Sequence, residues 1–434
     1  MALTKISTDG VKDDAITKAK IPADQIEASE LANNAVDTNA IQDDAVTEDK
    51  LANSINTAIA ANTAKDLTAL SASNLTSGTI PDARFPATLP AVDGSALTGL
   101  SVGRNLAVNG DMRVNQKGNS SSTSTGWNIA LDAWRTWHYA HGGTCTSSQG
   151  TVASGTTPYD LGFRYTYKLA MSGSPSATSG SSVFMANGIE GRNVIRSGWN
   201  YKANNSYLTV SFWVKASVAQ NYTATVFMAG NRNYGWTFAV SSANTWQKIT
   251  KTIPGDSSIN IAANENAAAM SLYIFAWIGS DYDNHTAEAD WVTYDGDEYS
   301  RPSNSGWLLS SNPIFEVTGC QIEAGNSATP FEWEDFNTTL DKCQRYYVKL
   351  TGVGGAGQSY SANTSDGLRF FISWPNKMNS APTVNRTGGS DGQSNASLNI
   401  STSTADGVLL NLVSTDSNTS VWWYNATIEA YSYL

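Results

Sequence analysis

The chain has 434 residues, enough for two or three domains, and carries 27 Lys and Arg against 38 Asp and Glu, a formal net charge of −11. Phosphate backbones repel so acidic a chain, and it has no basic patch, so we expect no binding to nucleic acid. Its apolar runs are short, so no membrane insertion is predicted. Charged residues are only 15% of the chain, and 14 Trp and 18 Tyr accompany abundant Gly, Ser, Thr and Asn, which is typical of β-rich extracellular domains.

The first 53 residues place one aliphatic side chain at every fifth position. In an α-helix, aliphatic side chains five residues apart would point about 140° away from one another. In a regular strand they would alternate between the two faces. Disorder is the alternative, but it places no demand on spacing, whereas identical chains wound together can bring each aliphatic residue to a shared axis. We therefore predict a three-stranded stalk over residues 1–53, with an axis formed by Ile16, Ile21, Ile26, Leu31, Val36, Ile41, Val46 and Leu51.

Residues 54–74 are predicted to form a short helical coiled-coil segment. Ile55, Ile59 and Asn62 are spaced four and three residues apart, as in a heptad seam, and would extend the trimer axis. A core Asn can fix register and oligomer state there, while a surface Asn on a short helix is the equal alternative. Residues 75–104 hold prolines among glycines and are predicted to be an extended connector.

From Asn105 onwards, short segments of alternating polarity are separated by Gly, Asn and Ser clusters, as in "YLTVSFWVKA" and "SLYIFAWIG". Regular short strands with turn residues between them predict a β-sandwich of the jelly-roll kind over residues 105–336. In the segment 207–216, the period of two places four apolar side chains on one buried face. These side chains are Leu208, Val210, Phe212 and Val214.

Residues 337–434 are predicted to be a helix followed by a small β-domain that forms the tip. Leu340, Cys343 and Tyr347 have the spacings of one helix face, which predicts a helix over 337–349. The fold class is therefore mainly β: an elongated homotrimeric stalk with pentad repeats and a short coiled coil, then a sandwich head and a C-terminal β-domain.

The segment 279–307 combines carboxylates with aromatic residues and is far longer than an ordinary turn. Aromatic faces stack on the C–H surfaces of sugar rings, carboxylates accept hydrogen bonds from hydroxyls, and an arginine can donate them. The alternative is a solvated loop with its aromatics against the sandwich edge. The candidate glycan-binding residues in this segment are Tyr282, Trp291, Tyr294, Asp295, Asp297, Tyr299 and Arg301.

Two further chemistries are open to the same segment. Acidic oxygens two residues apart, at Asp281 and Asp283, can ligate Ca²⁺, although the EF-hand pattern is absent. No other cofactor is predicted. Hydrolysis of a glycan would need a pair of carboxylates in one cleft, and this segment is the best candidate for such a pair. Glycan or Ca²⁺ binding is favoured over hydrolysis, so we expect a protein that is not an enzyme.

The chain ends in "VWWYNATIEAYSYL", which contains another aromatic candidate for receptor contact. Trp422 and Trp423 are adjacent, so a strand would point one outwards and the other inwards. The outward residue is the candidate, because large aromatics give much contact area at low entropic cost.

The remaining reactive side chains form no motif. Cys145, Cys320 and Cys343 are widely spaced and odd in number, which predicts buried free thiols. His138 and His141 precede Cys145 at helical spacing, but Gly142 and Gly143 would break a helix, so zinc is not predicted.

Several strings along the chain resemble those of bacteriophage tail fibre proteins. The connector "SGTIPDARFPATLP", the opening "GRNLAVNGDMRVNQKG" and the closing pair "QIEAGNSATPFE" and "CQRYY" carry the resemblance, which covers most of residues 1–350. The pentads are similar to fibre shafts with "DDAVT-DK" repeats. Asn115 departs from the family, which usually has an aromatic there. The resemblance implies a shaft followed by a carbohydrate-binding-like jelly-roll head.

What the resemblance implies about function is adhesion. The expected role is a virion structural protein of the viral tail, a homotrimeric fibre that binds a host surface glycan or outer-membrane receptor. Its N-terminal end would attach to a phage tail or adaptor protein, after assembly in the host cytoplasm. The alternatives are a tailspike-type enzyme that degrades glycans, or a purely structural fibre segment whose receptor binding is done by another protein.

Overall fold

The computed structural model of the protein describes residues 53–63, 104–122, 125–173, 175–262, 266–285, 290–302, 306–359, 368–391, 396–414 and 419–433. The chain divides into two compact units, Met1–Val92 and Asp93–Leu434. The predicted pentad stalk, the second half of the predicted coiled-coil segment and most of the connector lie outside the described residues. The trimer axis therefore stays a prediction.

In the first unit the described element is α1 (Asn53–Thr63). Thr57 Oγ1 donates a hydrogen bond to the Asn53 carbonyl at 2.7 Å, within the first turn. Ile55 and Ile59 are 48% and 53% exposed in the single chain. Two aliphatic side chains one turn apart and open to solvent are what a helix that packs on copies of itself would present.

The second unit is built almost entirely of strands, as Val, Ile, Thr and aromatic enrichment favours. In chain order, its first part contains β1 (Ser120–Ser122), β2 (Gly126–Leu131), β3 (Trp134–Tyr139), β4 (Thr144–Thr151), α2 (Thr157–Asp160), β5 (Tyr165–Ser172), β6 (Ser182–Glu190), α3 (Gly191–Ile195), β7 (Tyr207–Ala216), β8 (Gln220–Met228), β9 (Arg232–Val240), β10 (Gln247–Pro254), β11 (Ala268–Ile278), β12 (Trp291–Thr293), α4 (Gly306–Leu309) and β13 (Ile314–Ala324). Its last part contains α5 (Phe336–Gln344), β14 (Tyr347–Ser359), β15 (Leu368–Ser373), β16 (Thr383–Asp391), β17 (Ala396–Thr404), β18 (Gly407–Ser414) and β19 (Thr419–Tyr431).

Strands β1 to β13 form two antiparallel sheets, which confirms the β-sandwich of the predicted fold class. The six-stranded sheet has the order β1-β4-β5-β13-β7-β10, and the seven-stranded sheet has the order β12-β9-β8-β11-β6-β3-β2. Neighbouring strands are often far apart in sequence, since β13 pairs with both β5 and β7. The described helices of this part are short and lie between strands.

The core of the sandwich lies between the two sheets. In β7 the four side chains predicted to share one face, Leu208, Val210, Phe212 and Val214, are all completely buried in it. Strand β11 contributes Leu272 and Ile274 from the opposite sheet. Burying each such side chain contributes about 1.5–3 kcal/mol. This core fixes which face of each sheet points inwards.

The predicted helix over 337–349 is too long. Helix α5 ends at Gln344, and β14 begins at Tyr347. Thr339 and Cys343 are the buried residues of its inner face, while Tyr347 is buried as a strand residue paired with Tyr431 on β19. Pairing with a strand from the chain end overrides the local helical spacing, which the sequence pattern could not show.

The last part of the unit consists of two three-stranded sheets, β14-β19-β16 and β15-β18-β17. They enclose a separate core that includes Val348, Trp374, Leu410 and Ile428. Strand β19 lies against the sandwich part of the chain, because Lys117 Nζ donates to Glu429 on β19 at 2.8 Å. Among the described residues, no helix is long and apolar enough to cross a membrane.

The three cysteines are buried free thiols, as predicted. Burial raises the pKa of the Cys145 thiol to about 12, and burial also raises the pKa of Cys320 and of Cys343. A thiol held neutral in this way is a poor nucleophile. The three cysteines therefore act as small apolar side chains in the core.

Candidate functional site

The outer face of the seven-stranded sheet carries an aromatic groove of about 420 Å³. Side chains alternate along each strand, so the residues between those of the core point to this outer face. The volume lies in the range of sites that hold small ligands. The residues that line the groove are Trp127, Trp137, Tyr139, Ser182, Phe184, Tyr273, Phe275, Ile278, Tyr282, Tyr294 and Tyr299.

The floor of the aromatic groove is formed by two paired strands, β6 and β11. Phe275 is opposite Phe184 in the register, and their ring centroids are 4.8 Å apart. Tyr273 lies 5.1 Å from Phe184, and Ile278 is opposite Ser182. These side chains form a small apolar cluster of their own, separate from the sandwich core.

The hairpin β2–β3 forms one wall of the groove. Trp127 and Trp137 are directly opposite each other in the register, with ring centroids 5.3 Å apart and planes at 61°. Trp137 Nε1 donates a hydrogen bond to Ser182 Oγ at 3.2 Å, which fixes the ring against the floor. Trp127 and Tyr139 are each 40% exposed, so both have a ring surface free for contact.

Residues 279–285 and 290–302 form the opposite wall, where they contact the outer face of β8 and β9. Asn233 on β9 donates from its side-chain amide to the carbonyls of Glu298 and of Tyr299. Thr225 donates to the Tyr299 carbonyl at 2.9 Å, and the hydroxyls of Thr223 and Ser300 are 2.6 Å apart and fully buried. Satisfied buried polar groups of this kind hold a long loop in one conformation.

Three tyrosines of this loop face the groove. Tyr299 is central, with its ring 4.6 Å from that of Tyr294 and 6.1 Å from that of Tyr282. Burial, followed by the neighbouring Tyr299 hydroxyl, raises the pKa of Tyr294, so its phenol stays protonated. The Tyr294 hydroxyl donates to the Gly296 carbonyl at 3.2 Å, which leaves its oxygen as an acceptor for a ligand.

The carboxylates of the loop are sequence neighbours of the tyrosines that line the groove. Asp281 accepts a hydrogen bond from Ser179 Oγ at 3.0 Å. The amide of Asn284 donates to Asp297 at 2.9 Å and lowers the pKa of that carboxyl, while the hydrogen bond shared with Asp297 raises the pKa of Asp295. Burial raises the pKa of Asp283. These side chains offer acceptors for hydroxyl groups next to the aromatic surfaces.

The structure brings together only part of the predicted site. Tyr282, Tyr294 and Tyr299 line the groove, and Asp295 and Asp297 are exposed on the same loop. Arg301 points elsewhere, since its Nη1 donates to the His285 carbonyl at 3.1 Å.

Trp291 and Trp423 are corrections to the predicted site. Trp291 belongs to the sandwich core, where its ring lies 5.2 Å from Tyr234 and its Nε1 donates to the Pro254 carbonyl. Trp423 is buried in the C-terminal core, under the guanidinium of Arg386. Side chains alternate between the two faces of a strand, and both tryptophans point inwards. Neither ring is therefore available to contact a ligand. The side chain of Trp422 lies outside the described residues.

No metal centre is found in the part of the chain that the structure describes. There, no group of three or more His, Cys, Asp and Glu side chains is placed to hold an ion. The Ca²⁺ site predicted at Asp281 and Asp283 therefore has no third ligand of these types among the described residues. His138 and His141 are instead a hydrogen-bonded pair, with His138 Nδ1 2.7 Å from His141 Nε2.

Sequence reasoning missed the floor and the hairpin wall. The signal was present in β11, "AAMSLYIFAWI", where apolar residues occupy both faces and not one. A strand of an exposed sheet needs only one apolar face, so aromatic residues on the second face indicate that something covers it.

Comparison with known proteins places this chain in no family: no family model matches it, and no curated protein matches it. Among solved structures, it is similar to the enzymatically active domain of tailspike protein 4 of bacteriophage CBA120, with 11% identity and a TM-score of 0.28 over 51% of this chain. This chain spans 22% of the length of that tailspike chain.

Two further similar structures are carbohydrate-binding modules. A CBM4 structure matches with 12% identity and a TM-score of 0.26, over 50% of this chain and 98% of the other. The family 11 module from Clostridium thermocellum, in complex with a β-1,3-1,4-mixed-linked tetrasaccharide, matches with 11% identity and a TM-score of 0.24, over 47% and 98%. Similarity at these scores carries no argument about what this chain binds.

Proposed function

We propose that this chain binds a glycan in the aromatic groove and does not cleave it. The observation that carries the proposal is a concave groove whose floor and two walls are aromatic, with Trp127 and Tyr139 each 40% exposed in its walls. A concave, mostly apolar site with a few polar groups at its edge is typical of a ligand-binding site. Aromatic faces suit the C–H surfaces of sugar rings, and the carboxylates of the loop suit their hydroxyls.

The arrangement also suits a rigid binding site. The floor and the hairpin wall are parts of one sheet, and the loop wall is tied to that sheet by the Asn233, Thr223 and Thr225 hydrogen bonds. A pre-organised site loses little conformational entropy when a ligand binds. Binding needs no covalent step, so the mechanism is reversible adhesion.

We further propose that this glycan-binding head belongs to a phage tail fibre. The support is the resemblance of the connector, opening and closing strings, together with the pentad spacing of residues 1–53. In that setting the fibre is a homotrimer in the virion, attached to the tail through its N-terminal end, and three copies of a weak site give avidity on a host surface glycan.

The test is an array of neutral and acidic oligosaccharides, including those of bacterial surface polysaccharides, probed with the full chain and with Trp127→Ala. Trp333→Ala is the matched control, since Trp333 is 48% exposed and packs on Phe163 and Phe331 outside the groove. We expect Trp127→Ala to weaken binding tenfold or more, about 1.4 kcal/mol, and the control to bind normally.

Two results would overturn the proposal in different ways. If no oligosaccharide binds, or if both tryptophan variants bind equally well, the groove is not a glycan site. If mass spectrometry finds shorter products after incubation with a bound oligosaccharide, the chain is a glycan-degrading enzyme rather than a binding protein.

A further inference from the structure

Arg135 points to the same face of the seven-stranded sheet as the floor of the aromatic groove. It is two residues before Trp137 on β3, and it is opposite Ala186 on β6, which is in turn opposite Tyr273 on β11. Two residues along a strand are about 7 Å apart. Arg135 therefore stands beside the Tyr273 end of the groove, next to the residues that line it, and it also borders a small cavity lined by Tyr346 and Tyr433.

The guanidinium of Arg135 is held by aromatic rings. It stacks on the ring of Trp127, with its central carbon 4.1 Å from the ring centroid. Burial lowers the pKa of Arg135, and the groups that oppose this are the phenols of Tyr273 and Tyr433. An arginine remains protonated at neutral pH under such a shift, and the phenols are neutral there, so the site keeps a positive charge.

Among the residues that the structure describes, Arg135 forms no ion pair with a carboxylate, whereas the partly buried Arg104, Arg232 and Arg345 each form one. A partly desolvated cation without a partner is costly to maintain. Its placement next to an aromatic groove is explained if a ligand supplies the anion.

Carboxylates accompany both ends of the groove. At the Tyr273 end, Asp295 and Asp297 lie between Tyr294 and Tyr299 in sequence, and the ring of Tyr299 is 6.3 Å from that of Tyr273. At the other end, Asp281 and Asp283 flank Tyr282 in sequence. From Tyr273 to Ile278 the floor is roughly 17 Å long, at 3.3 Å per residue. The groove is thus long enough for a short oligosaccharide, with the Arg135 cation beside its Tyr273 end.

We propose that the groove takes an acidic oligosaccharide and that Arg135 binds a carboxylate of one of its uronic acid units. The planar fork of the guanidinium matches a carboxylate in a bidentate pair. The acidic unit lies at the Tyr273 end, and a neutral unit lies between Tyr282 and Tyr139. This inference rests on the proposed glycan-binding function and adds to it the class of ligand and its direction in the groove.

The experiment compares uronic acid oligosaccharides with their carboxyl-reduced counterparts, which keep the rings and linkages and lose the charge. Oligogalacturonate, oligomannuronate and oligoglucuronate are each immobilised beside the reduced form and beside neutral oligosaccharides. The full chain is tested with Arg135→Gln, with Arg135→Lys, and with Arg164→Gln as the matched control. Arg164 also stacks on an aromatic ring, that of Tyr159 at 3.8 Å, outside the groove.

We expect the unmodified chain to bind an acidic member at least tenfold more tightly than its reduced form. Arg135→Gln should bind both forms equally, Arg135→Lys should keep part of the preference, and Arg164→Gln should keep all of it. If Arg135→Gln does not fold, Arg135→Lys and the comparison of acidic with carboxyl-reduced oligosaccharides still test whether Arg135 binds a carboxylate of the ligand.

The outcomes separate this inference from the proposed function. Neutral or reduced oligosaccharides that bind as tightly as acidic ones, with binding still lost in Trp127→Ala, would overturn the role of Arg135 alone. If Arg135→Gln still binds acidic oligosaccharides more tightly than reduced ones, the proposed role of Arg135 is also overturned. If no member of the array binds, the glycan site itself is wrong and this inference fails with it.

Discussion

Arg345 and Glu190 form a bidentate ion pair that joins the C-terminal part of the chain to the sandwich. Arg345 Nη2 donates to Glu190 Oε2 at 2.8 Å, and Arg345 Nε donates to Glu190 Oε1. The Glu190 carboxylate is completely buried and also accepts from the Tyr346 hydroxyl and pairs with Arg192, each at 2.8 Å. The pair fixes α5 and β14 against the end of β6.

We expect Glu190→Gln to destabilise the protein by about 3 kcal/mol, because the change leaves two arginines beside a neutral amide in a buried site. The measurement is urea unfolding followed by tryptophan fluorescence. The matched control is Asp406→Asn, which removes an ion pair to Lys377 whose side chains are 69% and 64% exposed. The control should change the free energy of unfolding by less than about 1 kcal/mol, and equal effects of the two variants would contradict the prediction.

The histidine pair predicts a stability that falls in mild acid. Burial lowers the pKa of His138 to about 4, and burial also lowers the pKa of His141. The unfolded chain binds protons near pH 6.5 and the folded chain does not, so stability is present above pH 6.5 and is lost as the pH falls towards 4. Each pKa unit corresponds to about 1.4 kcal/mol, so protonation of His138 removes at most about 3 kcal/mol of the free energy of unfolding by pH 4.

Urea unfolding at pH 7.5 and pH 5.0 checks this, with His138→Asn as the comparison. The variant should lose less stability between the two pH values than the unmodified chain, because it lacks the group that must bind a proton on unfolding. An equal loss in the two proteins would assign the pH dependence to other groups.

The loop wall should depend on Asn233. Asn233→Ala removes both hydrogen bonds to the Glu298 and Tyr299 carbonyls, so we expect amide hydrogens of residues 290–302 to exchange at least tenfold faster. Hydrogen-exchange mass spectrometry measures this without a ligand. Asn187→Ala is the control, since Asn187 is also fully buried and donates to two carbonyls, those of Val108 and Ala133. Faster loop exchange in both variants would indicate general destabilisation.

The predicted stalk is tested by mass in solution. Light scattering should give three times the chain mass for residues 1–434 and a smaller assembly for residues 103–434, because the pentads and the short heptad hold the copies together. A full-length monomer would contradict the trimeric shaft, and an unchanged trimer of the shorter chain would place the contacts in the head.

The period of two was enough to predict the sandwich strands. In β7 it predicted both the extent of the strand and its buried face, and all but the last residue of the segment 271–279 lies within β11. Local spacing failed at Tyr347, where β19 supplies a partner strand from the end of the chain. Such pairing is set by contacts between residues far apart in sequence, which no local window contains.

The sequence by itself determined that this protein has a β-sandwich, buried thiols and an aromatic, acidic loop, since strand period and composition are local properties. Only the tertiary structure decided that Tyr294 faces the groove while Trp291, three residues earlier, is in the core. It also decided that Trp127 and Arg135 stand beside Tyr273, more than 130 residues away in the chain. Burial of apolar area is non-directional, so the order of the strands in the sheet, and not the sequence pattern, selects which aromatics meet.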